Sequence, residues 1–502
     1  MCIRDSLTLL LALLAALTPP TDWDGLFYHL TGPAWILSVG RIVSPSRMGI
    51  THVPHLSFPG LMESLFLLAM VLRGDVAAKL LHWGFALLLG GLVYRVTRRH
   101  VDARLGWGAV IALYGTPMVA VLAGWAYNDL ALAFFQVAAL YAVLNGFDCR
   151  SACQVTRWFG LGGVMAGLAL GLKYTAVICP LALGLMIVRN GVRRRRSFRC
   201  VVGQVTAFGV AMVIVASPWY LRNLLFTGNP VFPFAYGILD GRGWSRWHAY
   251  WYAQAGTGLG GDVWALLALP VTLTLGVRDM NYFDGRTGPL FLVALPGLLG
   301  VAFFDRRRPR AGVDLLWFAL AQYGLWVIGV VSSRSLFQSR LLLPALVTLC
   351  PLLAYVYDAL RRLRHPRFSL RRFVGPVVAL VLLFNVIYQG LETVRLRPLP
   401  YLVGQESRED FLIRRLGGHY LAMEAVAELP DDARVQFLWE PRGYYAVRGA
   451  EQGRPAVQPD AILETWKYLT HLHHRDVEAI AADLRRRGVT HLLWHEAGME
   501  LV

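Results

Sequence analysis

The feature that most constrains this chain is a series of apolar segments of about 20 residues, the length needed to cross a bilayer. Short arginine-rich stretches separate these segments, among them TRRH, RRRRSFR, DRRRPR and RRLRHPRFSLRR. This pattern is typical of cytoplasmic loops in membrane proteins, so the net charge of +17 does not indicate nucleic-acid binding. Of the 502 residues, 56 % are hydrophobic and only 16 % are charged, which also favours a membrane protein over a soluble one.

Placing the arginine-rich stretches on the cytoplasmic side predicts an α-helical polytopic protein with about 11 transmembrane helices. Two further apolar stretches, 60–72 and 263–276, are too short to span and border polar loops, so we expect them to lie at the membrane interface. Counting 60–72 as a span would move TRRH to the outside and reverse the charge rule for the rest of the chain. The predicted spans are 7–18, which is incomplete, and 76–97, 105–124, 129–146, 157–172, 175–190, 200–218, 287–304, 312–331, 340–358 and 372–390.

The chain changes character after the last predicted span. In residues 391–502 the sequence ARVQFLWE indicates a strand, HHRDVEAIAADLRRRG a helix and VTHLLWHE a second strand. We therefore expect two domains. One is a membrane domain over 1–390, and the other is a small extracytoplasmic α/β domain over 391–502, which we expect to be truncated at Val502.

Five separate segments bring ionisable and aromatic residues to the extracytoplasmic ends of the predicted spans. Ionisable side chains at membrane depth are costly and by default mark a function. Lysine and arginine can hold a phosphate, and a carboxylate can accept the proton of a hydroxyl group. Taken singly, the carboxylates could be plain loop residues or helix caps, and the cations could snorkel to the lipid head groups. The candidates are Asp22, Asp24, Tyr28 and His29 with His52 and His55 in the first loop, then Asp129, Lys173, Tyr174, Arg222, Asn223, Arg334 and Arg340.

Six motifs resemble bacterial membrane glycosyltransferases of the GT-C superfamily: in chain order DWDGLFYHL, YNDLALAFF, GLKYT, PWYLRNLLFTGNPVFPF, GPLFLVALPGLL and SRLLLPAL. The resemblance is to the aminoarabinose-transferase and protein-mannosyltransferase-like group, and it covers most of residues 20–360. It implies a GT-C-like membrane fold, a polyprenyl-phosphate sugar donor and a catalytic base among the acidic residues of the first loop. Asp24 matches the position of that base, and Asp129 matches a second acidic position at the outer end of a later span. The Asp-Glu pair of many members is replaced here by Asp22-Trp23-Asp24, which leaves open which carboxylate is the base.

The predicted function is the inverting transfer of a sugar from a polyprenyl-phosphate donor to an acceptor on the extracytoplasmic face of the bacterial inner membrane. The acceptor could be a glycan, a lipid or a protein. An alternative stays open, a lipid or polysaccharide transporter, which would also line its interior with charge.

Cofactor use is open too, since Asp24 and Asp129 could share a divalent cation such as Mg²⁺ or Mn²⁺. Predicted ligands of the donor phosphate are Lys173, Arg222 and Arg340, and predicted substrate contacts are Tyr28, His29, Tyr174 and Asn223.

Overall fold

The structure, a computed structural model, describes residues 3–42, 53–254, 258–275, 287–304, 309–333, 338–362, 370–448, 456–460 and 463–500. These residues are mostly helical, and their strands form one three-stranded sheet near the C-terminus. The helices up to residue 275 are α1 (Ile3–Ala16), α2 (Thr31–Val39), α3 (Leu61–Arg73), α4 (Asp75–His100), α5 (Gly106–Tyr114), α6 (Pro117–Ala123), α7 (Asp129–Asp148), α8 (Ala152–Leu170), α9 (Ile178–Arg193), α10 (Phe198–Thr227), α11 (Tyr236–Leu239), α12 (Arg246–Gln254) and α13 (Val263–Leu275).

The second part of the chain contains further helices and the sheet. The helices are α14 (Leu290–Phe304), α15 (Gly312–Ser332), α16 (Leu343–Arg362), α17 (Leu370–Leu396), α18 (Pro398–Leu402), α19 (Arg408–Leu416), α20 (Gly418–Ala427), α21 (Tyr444–Arg448), α22 (Thr465–Leu472), α23 (Val477–Arg486) and α24 (Glu496–Met499). The strands are β1 (Arg434–Leu438), β2 (Ala456–Gln458) and β3 (His491–Trp494). Single turns of 3₁₀ or π helix cover Gly25–His29, Pro54–Ser57, Tyr174–Val177 and Ser339–Leu342.

Among the described residues, seven helices are long and apolar enough to cross a membrane, and an eighth span results if the bent pair α5 and α6 counts as one. This is a multi-span membrane protein, as the sequence predicts. Two predicted spans, 7–18 and 287–304, coincide with shorter apolar helices, and 157–172 lies mostly within α8, which is not among the seven. The count of eleven spans therefore stays a prediction.

The predicted span 105–124 is not one straight helix. Helix α5 ends at Tyr114, α6 begins at Pro117, and the two are bent by 71°. Thr116 lies between them in an extended conformation, with φ −92° and ψ 114°, because the ring of a following proline disfavours the helical conformation. After the bend, α6 leads into the short turn that precedes Asp129 at the start of α7.

Helices α8 and α10 approach each other closely over small residues. A Cβ atom at Gly163 would lie 2.1 Å from the carbonyl oxygen of Phe208, and one at Gly167 would lie 2.6 Å from that of Met212. Small residues allow membrane helices to pack at this distance. The turn that follows α8 and carries Lys173 is thereby held next to α10.

The C-terminal region, meaning residues 398–500 throughout, contains the three strands. They pair in parallel in the order β2-β1-β3, with β1 in the centre. Strands β1 and β3 lie in the two stretches predicted as strands. Helix α23 lies in the predicted helix, where the Asp476 carboxylate accepts hydrogen bonds from the first backbone N–H groups. The sequence does not predict β2, which has three residues, and a separate C-terminal domain stays a prediction.

Candidate active site

The side chain of Asp24 lies in a cluster of polar groups at the end of the first loop. Its Oδ2 atom accepts a hydrogen bond from Arg340 Nη2 at 2.6 Å and one from the Tyr28 hydroxyl group at 3.1 Å. The backbone N–H of Asp24 donates to the Tyr127 hydroxyl oxygen at 3.2 Å. The π-helical turn Gly25–His29 begins directly after Asp24, and it places Tyr28 over the carboxylate four positions back.

Arg340 is the cation of this cluster and is itself held on several sides. Its Nε and Nη2 atoms donate to Gln338 Oε1 at 3.0 and 2.6 Å, and its guanidinium lies 4.7 Å from the centre of the Tyr127 ring. Burial alone would raise the pKa of the Asp24 carboxyl, but the charge and hydrogen bond of Arg340, together with the charges of His29 and Lys173, outweigh it and hold that pKa at about 2. Asp24 is therefore an ionised carboxylate at neutral pH.

A second ion pair lies beside the first. Lys173 Nζ donates to Asp129 Oδ1 at 3.0 Å and to Asn128 Oδ1 at 3.3 Å. The other carboxylate oxygen of Asp129 is buried without a hydrogen-bond partner among the described residues. The positive charge of Lys173 also stabilises the Asp24 carboxylate. Two carboxylates and two cations from four segments therefore form one electrostatic cluster.

The predicted metal ligands Asp24 and Asp129 each have a cationic side chain as their partner. A divalent cation bound between them would have to displace both ion pairs. In the part of the chain that the structure describes, no group of three or more His, Cys, Asp and Glu side chains is placed to hold a metal ion. The arrangement of these two carboxylates therefore does not fit a bridging metal.

Asp22 has a different environment from Asp24, although only Trp23 separates them. Its side chain is buried, and neither carboxylate oxygen has a hydrogen-bond partner among the residues described. A Cβ atom at Gly25 would lie 2.0 Å from Asp22 Oδ2, so a larger residue there would force the Asp22 carboxylate to move. Burial raises the pKa of the Asp22 carboxyl, partly offset by the nearby Lys79. Of the two carboxylates, Asp24 is the one that contacts the polar cluster.

The aromatic part of the first loop packs around His29. His29 Nδ1 lies 2.6 Å from Glu63 Oε1, and the ring is completely buried. The ring of Tyr28 contacts those of His29 and His55, with centroids 4.1 and 5.1 Å away. Burial lowers the pKa of His55 to about 4, so this ring is neutral at neutral pH. His52 and Arg334, two further sequence candidates, lie outside the described residues.

Arg222, Asn223 and Tyr174 form a second cluster, which joins α10 to the loop before α3. Arg222 Nη2 donates to the carbonyl oxygen of Phe58 at 2.8 Å. Asn223 Nδ2 donates to the carbonyl oxygen of Ser57 at 2.7 Å and to the Tyr174 hydroxyl oxygen at 2.8 Å. The structure thus groups Lys173 and Arg340 with the two acids, whereas Arg222 contacts neighbouring backbone.

An apolar cavity of about 800 Å³ lies beside the second cluster. Tyr174 lies in its wall, and so does Leu341, the residue after Arg340. Its walls come from α7, α15, the start of α16 and residues 233–253, and include Gln136, Tyr252, Trp326 and Pro344. A space of this size and character suits a long apolar group.

Three residues of the site were missed as candidates in the sequence: Glu63, Lys79 and Gln338. Lys79 had a usable signal, because it lies in the predicted span 76–97, where an ionisable residue is costly. Its Nζ atom donates to the carbonyl oxygens of Ala15 and Thr18 at 2.8 and 2.9 Å. Glu63 and Gln338 gave no comparable signal, since both lie among ordinary polar loop and interface residues.

Comparison with known proteins gives a family match and a fold match. Residues 63–221 match a family model described as dolichyl-phosphate-mannose-protein mannosyltransferase. No curated protein matches the chain in sequence at a significant level. In fold the chain is similar to ArnT from Cupriavidus metallidurans bound to undecaprenyl phosphate, with a TM-score of 0.60 and 16 % identity over 95 % of this chain and 88 % of that chain. The apo state of that protein gives a TM-score of 0.57 at 16 % identity, over 93 % and 90 % of the two chains.

The oligosaccharyltransferase of Archaeoglobus fulgidus, in complex with zinc and sulfate, has a TM-score of 0.50 and 17 % identity over 90 % of this chain and 62 % of that chain. The fold is that of the GT-C membrane glycosyltransferases, and the resemblance that the sequence motifs predict is confirmed. Within this class the likeness extends over nearly the whole length of ArnT. At 16 % identity it establishes the fold and not the substrate.

Proposed function

We propose that this protein transfers a sugar from a polyprenyl-phosphate donor to an acceptor hydroxyl group, with Asp24 as the general base. The observation that carries the proposal is the largely buried Asp24–Arg340 ion pair close to Lys173, with Leu341, the residue after Arg340, in the wall of an apolar cavity. A lipid-linked sugar has the same division into an apolar chain, an anionic phosphate and a polar sugar. The likeness to a protein bound to undecaprenyl phosphate supports this class of donor.

The reaction is a single displacement at the anomeric carbon. The acceptor oxygen forms a bond to that carbon while the bond from the carbon to the phosphate oxygen breaks, which inverts the configuration. The hydroxyl proton passes to the Asp24 carboxylate, and the polyprenyl phosphate leaves as an anion. Asp24 suits this role because it is ionised at neutral pH and contacts the polar cluster, whereas Asp22 is buried away from it.

The leaving phosphate needs cationic partners, and the site holds three candidates. Arg340 and Lys173 lie in the ion-pair cluster, and Arg222 lies in the adjoining one. Arginine can donate two hydrogen bonds to a phosphate, and lysine supplies a compact charge. Tyr28 contacts Asp24, and Tyr174 contacts Asn223 next to Arg222, so we propose that these three residues and His29 contact the sugar or the acceptor. His29 has no exposed surface, so its contact with a substrate requires its neighbours to move.

We further propose that the site faces the extracytoplasmic side of the bacterial inner membrane. The eleven-span topology supports this orientation, because it puts every arginine-rich stretch on the cytoplasmic side. The C-terminal region then lies outside, together with the first loop that it contacts. The acceptor can be a glycan, a lipid or a protein, since acceptor choice depends on the shape of the loops.

The decisive experiment supplies the purified, reconstituted protein with polyprenyl-phosphate sugars that carry a label in the sugar. Transfer is expected to release unlabelled polyprenyl phosphate and to move the label to an acceptor fraction from the bacterial envelope. If the label crosses the vesicle membrane while it stays on the lipid, the protein is a transporter and the proposal is wrong.

A further inference from the structure

The C-terminal region holds the first loop on both sides of its two carboxylates. Before them, the hydroxyl group of Tyr445 donates to the carbonyl oxygen of Pro20 at 2.7 Å. Between them, the guanidinium of Arg442 lies 4.3 Å from the centre of the Trp23 ring. Helix α21, which begins two residues after Arg442, packs against α2 and the π-helical turn Gly25–His29. The loop therefore has contacts with residues more than 400 positions away at two points.

Trp23 and Asp24 are adjacent residues in the helical turn that leads into Gly25–His29, so a contact at Trp23 acts on the same turn that carries Asp24. Asp22 is buried, Trp23 is 44 % exposed, and Asp24 contacts Arg340. Trp23 is the most exposed residue of the three, and Arg442 lies over its ring. The contact with Arg442 therefore restrains the residue directly before Asp24.

Arg442 is itself held firmly by Glu440. Its Nε and Nη2 atoms donate to the two oxygens of that carboxylate at 2.8 and 2.6 Å, and its backbone N–H donates to Oε1 at 2.9 Å. His419 Nδ1 lies 3.3 Å from the same carboxylate. Burial would raise the pKa of Glu440, but these hydrogen bonds hold it at about 2. A bidentate, buried pair fixes the guanidinium plane in a way that a single contact does not.

A second connection fixes the C-terminal region to the membrane helices. The hydroxyl group of Tyr444 donates to Asp75 Oδ2 at 3.0 Å, and Arg408 pairs with the same oxygen. Asp75 is the first residue of α4, and its side chain is buried. The region is thus fixed to α4 by contacts that do not involve the first loop. Its contacts with that loop can therefore hold the loop in place.

We propose that Arg442 and Tyr445 are positioning residues: they fix the conformation of residues 20–24 and thereby the direction of the Asp24 carboxylate. The consequence for catalysis rests on the proposed function. The effect on the loop itself does not. A displacement of a reacting group by about 1 Å can reduce a rate by roughly a hundredfold, so holding this loop is a catalytic requirement.

The first test measures hydrogen exchange of the peptide that contains residues 20–30 in the full-length protein. Arg442→Gln and Tyr445→Phe are expected to accelerate exchange in this peptide, because each removes one contact that keeps the loop closed. Arg485→Gln, at an exposed arginine of α23, and Tyr468→Phe, in α22, are the matched controls and should leave exchange unchanged. Unchanged protection in Arg442→Gln and Tyr445→Phe would overturn the proposal, whether or not the protein transfers sugar.

The second test measures turnover. Both variants are expected to lose roughly tenfold to a hundredfold in kcat, with a smaller change in the KM for the donor. Arg442→Lys keeps a cation near the Trp23 ring and should recover part of the loss.

The double variant Trp23→Ala, Arg442→Gln should be no slower than the slower single variant, since both changes remove the same contact. Multiplicative losses would show that Trp23 acts separately, for example by stacking on the sugar. Faster loop exchange without any wild-type transfer would reject the proposed function while the hold on the loop stands.

Discussion

Arg340 and Asp24 lie 316 positions apart in the chain, and Nη2 of the arginine donates to Oδ2 of the aspartate at 2.6 Å. Their side chains are only 9 % and 14 % exposed, so the ion pair is largely shielded from water. Removing one partner of a buried pair leaves an uncompensated charge and usually destabilises a protein. Tests of catalysis at either residue therefore need a measurement of folded protein alongside the rate.

Replacing Asp24 with asparagine removes the base and keeps the shape of the side chain. We expect kcat to fall by roughly 10²–10⁴-fold, the usual contribution of general base catalysis, while donor binding changes much less. Initial rates with labelled donor check this, with size-exclusion profiles to confirm folding. Asp22→Asn is the matched control and should lose less activity, because that carboxyl does not contact the polar cluster. Equal and mild losses in both variants would show that neither residue is the base.

Replacing Arg340 with lysine tests whether the guanidinium holds the donor phosphate. Lysine keeps the charge but lacks the planar guanidinium, which donates to Asp24 and Gln338 and has further N–H groups for two hydrogen bonds to a phosphate. A hydrogen bond to a charged group contributes about 1.5–3 kcal/mol, so polyprenyl-phosphate affinity should weaken roughly tenfold to a hundredfold. Binding titrations on the reconstituted protein measure this, with Arg485→Lys as the control. Wild-type affinity in Arg340→Lys would instead indicate a residue that anchors the end of a helix.

Several residues of the site could be identified from the sequence because a charged side chain at membrane depth is energetically unfavourable. Asp129, Lys173 and Arg340 each stand at the end of an apolar segment, where an ionisable side chain is unfavourable without a function. The structure brings all three together with Asp24. The order of the six motifs was also sufficient to predict the fold that the comparisons confirm.

Other features could not be predicted because they depend on packing between distant segments. The sequence does not show which cation pairs with which acid, since that depends on how α7, α8 and α16 pack. It predicted Asp22 and Asp24 as alternatives, and only the burial of Asp22 separates them. The contact of Arg442 with Trp23 joins two regions that the sequence treats as separate domains. Pro117 is a local signal for the bend at Thr116, but the continuous run of apolar residues predicted one straight span there.

The topology is tested with reporter fusions at the ends of the predicted loops. A fusion after Arg196 should report the cytoplasm, and fusions after Gly241 and Gly404 should report the outside, because the arginine-rich stretches fix the orientation. A paired set of reporters, one active only inside and one only outside, makes each position its own control. A reversed signal between Arg98 and Arg196 would show that the stretch 60–72 spans the membrane instead of lying at its interface.

The C-terminal region should lose stability as the pH rises, because of Glu464. Its carboxyl group is buried, and neither oxygen has a hydrogen-bond partner among the residues that the structure describes. Burial, with repulsion from Asp460, raises the pKa of this group from 4.5 to about 9. His248 Nε2 lies 3.9 Å away, but burial lowers the pKa of that ring to about 4, so it stays neutral over most of this range.

The pKa of Glu464 is 4.5 in the unfolded chain and about 9 in the folded protein. Between these two pH values the folded protein binds one proton more than the unfolded chain. The free energy of unfolding therefore decreases as the pH rises through this range, and the full contribution is present only below about 4.5. Glu464→Gln removes the titration, so its melting temperature should exceed that of the wild type at about pH 8, by a margin that shrinks towards about pH 5. Thermal unfolding in detergent measures both curves, and Glu496→Gln, at an exposed position in α24, should follow the wild type. Parallel curves for the wild type and Glu464→Gln would mean that Glu464 is ionised in the folded protein and has a partner there.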